Sequence, residues 1–265
     1  MRNSHMNKRG QATIFVVIGI IIIVLIALIL VGRKTFFLPT TPDSLSNIRD
    51  DIATHIQECI TDNSISEDVV VRLGMQGGYL SPGVDTFRLF NDTQVSYLCY
   101  NMDKTELCRN RLLLLGTMEQ QLNDAMKPKL QSCIGDLKSF ARLKPITIET
   151  PKQMDIQTTI LPDTILVVVN YPVVIKAKNN NNQVQQQTFQ ENLDYPLGEL
   201  YSVSQTILDQ ETTLGDFDPL LYLLAKKGDY IVYKQRPYPD KLYTIKRSDD
   251  PYVFQFFVQG QPGTS

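Results

Sequence analysis

The chain has 265 residues, of which 43 % are hydrophobic and 20 % charged, and its 26 basic and 28 acidic side chains give a formal net charge of −2. Enough apolar residues are present to build real cores, which excludes a disordered chain, and the charge balance excludes a uniformly basic nucleic-acid binder. The charge is unevenly placed. Residues 1–34 carry five basic and no acidic side chains, which leaves 21 basic against 28 acidic, net −7, on residues 35–265.

The first predicted element is a membrane-spanning helix. From Ala12 to Val31 twenty positions carry no charge, broken only by Thr13 and Gly19, with Lys8 and Arg9 before and Arg33 and Lys34 after. Roughly 20 apolar residues cover a hydrocarbon core of about 30 Å. A secretory signal has a shorter apolar region, about 7–15 residues, and a small-residue cleavage site after it. Here the run ends in Gly32, Arg33 and Lys34. We therefore read a transmembrane helix over this run and a linker at 33–43 in which Pro39 and Pro42 stop the helix. Basic residues near the helix number three before it and two after it, a small inside bias. The acidic remainder and the even count of four cysteines add to it, so the domain is expected outside the membrane.

Lys8-Arg9-Gly10-Gln11, followed by Ala12-Thr13-Ile14-Phe15, resembles the processing site of archaeal type IV pilin-like precursors, the class III signal. The resemblance implies cleavage between Gly10 and Gln11 by a prepilin-type peptidase, with the apolar helix kept in the mature protein, and so implies the bounds 1–10 for a cytoplasmic leader and 11–32 for the transmembrane helix. Two features depart from the pattern. Phe15 stands at the fifth mature position, where many pilins carry Glu, and Pro39 and Pro42 interrupt a helix that in pilins usually runs on into the head domain.

From Asp43 the pattern turns helical, with Leu45, Ile48, Ile52, Ile56 and Cys59 on one face and Asp43 or Ser44 as cap. Residues 66–73 read as a short helix, although Val69-Val70-Val71 also fits a strand, and Gly77 and Gly78 then turn the chain into an extended piece. A second long helix is expected from Thr117, capped by Thr117 and Gln120, through Met118, Leu122, Ala125, Leu130, Cys133 and Leu137, with Pro128 kinking or splitting it. Residues 44–143 thus form a mainly helical part of the ectodomain. Residues 144–265 form a strand-rich part: β-branched runs with a long hairpin over about 165–189, helices near 197–211 and 219–226, then two or three strands in the tail. The fold class is α+β: one N-terminal transmembrane helix, then an ectodomain of amphipathic helices and a mainly antiparallel sheet. The combination of the GQATIF helix, LGMQGGY and helices ending in cysteine is also similar to a group of uncharacterised membrane-anchored proteins of small-genome archaea, which carries no established activity to transfer.

QECITD at 57–62 echoes QSCIGD at 131–136. If those helices pack, Cys59 and Cys133 become disulfide candidates and leave Cys99 with Cys108, though four cysteines allow three connectivities and buried free thiols are the alternative. Zinc fits poorly, because C-x-x-C is lacking and the histidines are His5 and His55, so no metal or cofactor is expected. Catalytic motifs are equally scarce. No nucleophile elbow, H-E-x-x-H or phosphate loop occurs, and Asp216, Asp218, Asp249 and Asp250 read as caps and turns, so the expectation is not an enzyme; a histidine-independent hydrolase ranks third among the readings. Two places are candidates for partner contact: Gly77, Gly78 and Tyr79, where a helix-ending turn needs the same residues, and Tyr233, Arg236 and Tyr238 in a basic, Tyr-rich tail. Alternating Tyr and charge also describes a half-exposed strand pair, and nucleic acid is not expected. Asn91-Asp92-Thr93 is a glycosylation sequon if the domain is exported. The partners expected are the lipid bilayer, like subunits or other envelope proteins.

Overall fold

The computed structural model describes residues 43–83, 86–102, 107–142, 144–178 and 181–260. The expected leader, the Gly10-Gln11 processing site, the transmembrane helix and the linker up to residue 42 lie outside the described residues, and among those described no helix is long and apolar enough to cross a membrane. The described residues form one compact unit.

Helix α1 (Asp43–Thr61) follows its apolar spacing: Leu45, Ile48, Ile52, Ile56, Cys59 and Ile60 are all buried. Each such side chain contributes roughly 1.5–3 kcal/mol relative to exposure, so this one face accounts for the docking of the helix. Asp62 then breaks it. Its carboxylate accepts from the Ser64 amide at 2.7 Å and opens one wide turn, Asn63–Glu67, before α2 (Asp68–Met75). The three valines are therefore helical, with Val69 and Val70 buried. The cap of helix α3 (Leu115–Ile134) lies three residues before the expected Thr117: Leu114 occupies the cap position without a side-chain bond, and Thr117 donates its amide to Leu114 O. Pro128 lies inside this helix, which runs through it unsplit.

Two sheets complete the unit. The first takes β1 (Phe87–Phe90), β2 (Thr93–Tyr100), β3 (Arg109–Asn110), β8 (Tyr230–Gln235), β9 (Lys241–Arg247) and β10 (Val253–Val258) in the order β1-β2-β10-β9-β8, with β3 beside β2. Its centre pairs β2 with β10 in parallel, while the other contacts are antiparallel. Consequently β1–β3 place strands inside the stretch expected to be mainly helical, and residues 44–143 and 144–265 contribute strands to one sheet. The second sheet is wholly antiparallel and takes β4 (Ile146–Glu149), β5 (Asp155–Ile160), β6 (Ile165–Ala177) and β7 (Gln183–Leu193), with β6 between β7 and the other two. Period-two burial marks β6 and β5, as a sheet with one face on the core requires. A register shift near Tyr171-Pro172, where proline has no amide to give to the ladder, moves the buried positions of β7 from Val184 to Phe189 and Leu193. Helix α4 (Leu197–Leu214) and the short α5 (Pro219–Ala225) follow β7 and lead into β8. One large cluster of buried side chains draws on α1 to α4 and both sheets, and a small second one, Val95, Leu242 and Phe257, lies apart from it with Phe90 and Tyr97 packed against it.

Candidate interaction site

The cysteines come first, since they bear on the compartment. Cys59 near the end of α1 and Cys133 near the end of α3 stand at disulfide distance with Cα atoms 5.8 Å apart, as do Cys99 on β2 and Cys108 before β3 at 5.1 Å. Of the three connectivities open to four cysteines, this is the one that packing of the QECITD and QSCIGD helices would give. His55 sits on the same helix as Cys59, with its ring 5.6 Å from Phe140 and Nε2 3.4 Å from Ile134 O, which is a packing position.

Gly77 and Gly78 close α2. Their φ values of +72° and +86° belong to the left-handed region where glycine is favoured, and both residues are buried against Phe256, Phe254 and Met118. Burial leaves their backbone unavailable to a partner, so the helix-ending turn accounts for them. Tyr79 donates its hydroxyl to Arg111 O at 2.8 Å, tying the turn to the segment after β3.

The tail residues fare differently. The loop between β8 and β9 carries Arg236, Tyr238 and Asp240 around a cleft of about 370 Å³, closed by Gly215, Asp216, Lys241 and Gly260. Arg236 and Tyr238 form an open rim, with Tyr238 91 % exposed and the Arg236 side chain 70 % exposed. Tyr233, on β8 and 51 % exposed, does not line the cleft.

Beneath this rim the floor is locked by ion pairs. Lys241 Nζ reaches Glu211 Oε2 and Gly215 O, each at 2.6 Å, and Asp216 Oδ1 at 2.9 Å, so all three of its donors are engaged. Glu211, 1 % exposed on α4, also accepts from the Phe217 amide and, through a very short bond, from the Tyr243 hydroxyl. Lys234 Nζ bonds Asp216 Oδ1 at 2.5 Å and Phe217 O at 2.7 Å. Burial alone would raise the Asp216 carboxyl, but the hydrogen bonds from Lys234 and Lys241 outweigh it and hold the group below the ordinary carboxylate value. Burial, reinforced by the bond to Glu211, pushes the Tyr243 phenol well above its ordinary value. On the far side Asp240 accepts from Arg88 at 2.8 Å, Tyr97 at 2.6 Å and the Gly260 amide at 3.0 Å, and burial followed by that carboxylate raises the Tyr97 phenol.

Among the described residues of this floor the acids are all partnered: Glu211 and Asp216 by Lys241 and Lys234, and Asp240 by Arg88, Tyr97 and the Gly260 amide. These bonds fix the α4–α5 loop onto β8 and β9, below the exposed Tyr238 and the exposed Arg236, whose Nη2 lies 3.5 Å from Asp216 Oδ2. A planar guanidinium beside a phenol suits a carboxylate or another planar polar group. Glu211, Lys234, Lys241 and Asp240 went unsingled in the sequence, because no local pattern distinguishes a charge that will be buried from one that stays in water. Asp218 and Asp250 act as the turn and cap residues expected of them, accepting from the amides of Leu220 and Leu221 and of Tyr252, whereas Asp216 is drawn into the ion pairs. Asp249 pairs with Arg247 at 2.6 Å. Among the described residues no group of three or more His, Cys, Asp or Glu side chains is arranged to hold a metal ion. Comparisons with family models, with curated proteins and with solved structures find no match to this chain.

Proposed function

We propose that the chain is a membrane-anchored extracytoplasmic structural or interaction protein, held by the apolar run at residues 12–31 and presenting the unit from residue 43 onward outside the cell. The observation that carries this reading is the pairing of all four cysteines at disulfide distance in a chain headed by an uncharged, membrane-length segment. Disulfides persist in oxidising compartments, and the anchor accounts for how the domain is retained there. The Asn91-Asp92 turn is exposed between β1 and β2, so an exported chain would display its glycosylation sequon. The rim of Arg236 and Tyr238 over a rigid floor supports contact with another envelope component, and no catalytic step is assigned.

A second form of the reading is pilin-like. Gln11 directly after Lys8-Arg9-Gly10 favours cleavage and filament assembly; Phe15, Pro39 and Pro42 favour a helix that stays in the bilayer. The deciding experiment is the intact mass and amino-terminal sequence of protein extracted from native membranes without reductant. A chain beginning at Gln11 selects the processed form, and one retaining Lys8-Arg9-Gly10 the plain anchor. Four thiols that alkylate without prior reduction, or protection of the domain from protease in intact cells until lysis, would overturn the outside assignment.

A further inference from the structure

Helix α5 wears its apolar face outward. None of its seven residues is buried, and Leu220, Leu221 and Leu224 are 64 %, 66 % and 70 % exposed, within one 100° arc of the helix. A helix on a soluble surface normally turns that face to the core. Nor is α5 a loosely attached end. Asp218 caps its first turn through the Leu220 and Leu221 amides, the ring of buried Phe217 lies 5.6 Å from that of Tyr222, and Lys234 holds Phe217 O at 2.7 Å. The leucines are thus held out by an anchored scaffold.

From these facts we infer that α5 is an interfacial helix that seats Leu220, Leu221 and Leu224 in the headgroup boundary of an anionic bilayer. The inference rests on the anchored reading of the amino-terminal run. Two further features select lipid as the occupant. Exposed Lys226 and Lys227 follow the leucines directly, the apolar-then-basic order that lets ammonium groups meet anionic headgroups while side-chain stems cover the boundary. Of the nearby acids, Asp216 is ion-paired with Lys234 and Lys241, Asp218 is turned to the helix amides, and Glu199, which lines one pocket with Lys226, lies 3.9 Å from Arg247, which leaves Asp229 as the exposed countercharge on this side. Chain length supplies the second argument. The eleven steps from Gly32 to Asp43 reach at most roughly 36–40 Å, comparable to the width of a folded unit of this size, so the tether keeps the domain surface within range of the membrane.

The natural chain has no tryptophan, so one introduced residue reports alone. Full-length Leu224→Trp is reconstituted into vesicles of equal phosphatidylcholine and phosphatidylglycerol, with and without brominated acyl chains, beside Tyr238→Trp on the open cleft rim. We expect the 224 reporter to emit at shorter wavelength and to lose about half or more of its emission to bromine, the 238 reporter to be unaffected, and Lys226→Glu with Lys227→Glu to reverse the effect. A vesicle-bound protein whose 224 reporter is unquenched overturns the inference; a blue-shifted, unquenched signal that grows with protein density assigns the leucines to a second copy instead. Failure to float with vesicles at all is a separate result, which overturns the anchored reading beneath it.

Discussion

The two sheets solve the same burial problem with different chemistry. The four-stranded sheet is mainly aliphatic on its core face, with Ile165, Val167, Val169, Val173 and Ile175 alternating along β6 and Phe189 of β7 as its buried aromatic, and its ion pair Lys176–Glu149 stays at the surface. By contrast, the six-stranded sheet buries Tyr243, Phe254, Phe256 and Phe257 and places Glu211 with Lys241 beneath its loops. The first rests mainly on alternation and area, with Asn123 and Glu119 of α3 accepting from the Thr158 and Ile160 amides at its edge. The second needs every polar partner in position, so it specifies geometry at the edge where the cleft rim stands, and it is the more fragile of the two.

The largest test of that contrast is covalent. Cys59 and Cys133 close a separation of 74 residues, joining two helices packed near the four-stranded sheet, whereas Cys99 and Cys108 close 9 within the six-stranded one. Chain entropy gives about 4.5 kcal/mol for the first and about 2.7 kcal/mol for the second. Denaturant unfolding of the two Cys→Ser double variants should therefore rank them in that order; equal losses would show that the link across the helices adds no more than a local clip. Next comes the ionic floor. Glu211→Ala strands the Tyr243 hydroxyl and takes the buried carboxylate from Lys241, and should cost about 3–5 kcal/mol, while Glu211→Met combined with Lys241→Met and Tyr243→Phe should recover most of it. A Glu211→Ala variant as stable as the parent would remove the claim that this sheet depends on polar registration. Gly78→Ala follows, at about 1–3 kcal/mol, because its φ of +86° strains any side chain and the added carbon meets Met118.

Legibility in the sequence divides along the same line. Leu45, Ile48, Ile52, Ile56 and Cys59 announced α1 because a helix face repeats every three to four residues, and all five are buried. The hairpin of β6 and β7 was equally visible, though it runs on to Leu193. What escaped was the centre of the six-stranded sheet, where β2 pairs with β10 across Tyr97 and Phe257, since nothing local encodes a parallel contact between segments so distant in the chain. One missed signal was present. Asn91 and Asp92, with φ of 46° and 61°, join Phe90 to its partner Thr93 in the two-residue hairpin that such residues favour. Of the candidate cleft, composition points to Arg236 and Tyr238, which do line it, whereas the locked floor under them is not legible, because burial of Glu211 and Lys241 depends on packing that no spacing reveals.

The smallest effect discriminates most finely between a buried network and a surface pair. Asp216 titrates below its ordinary value of 3.8 in the folded protein, held there by Lys234 and Lys241 against the cost of burial. With the folded pKa below the unfolded one, the unfolded chain binds more protons in the interval between them. Its contribution is therefore complete above the unfolded value and is lost as pH falls through the folded one. The Asp216 side chain is 54 % exposed, so solvent screening limits the contribution to a fraction of about 1 kcal/mol. Asp216→Asn should lower the unfolding midpoint slightly at pH 7 and have no effect once pH lies below the folded value, whereas Glu149→Gln, removing an exposed pair, should leave the midpoint nearly unchanged at pH 7 and in high salt. If the two variants behave alike, Asp216 belongs with the surface charges, and the boundary of the polar network retreats to Glu211, Lys241 and Tyr243.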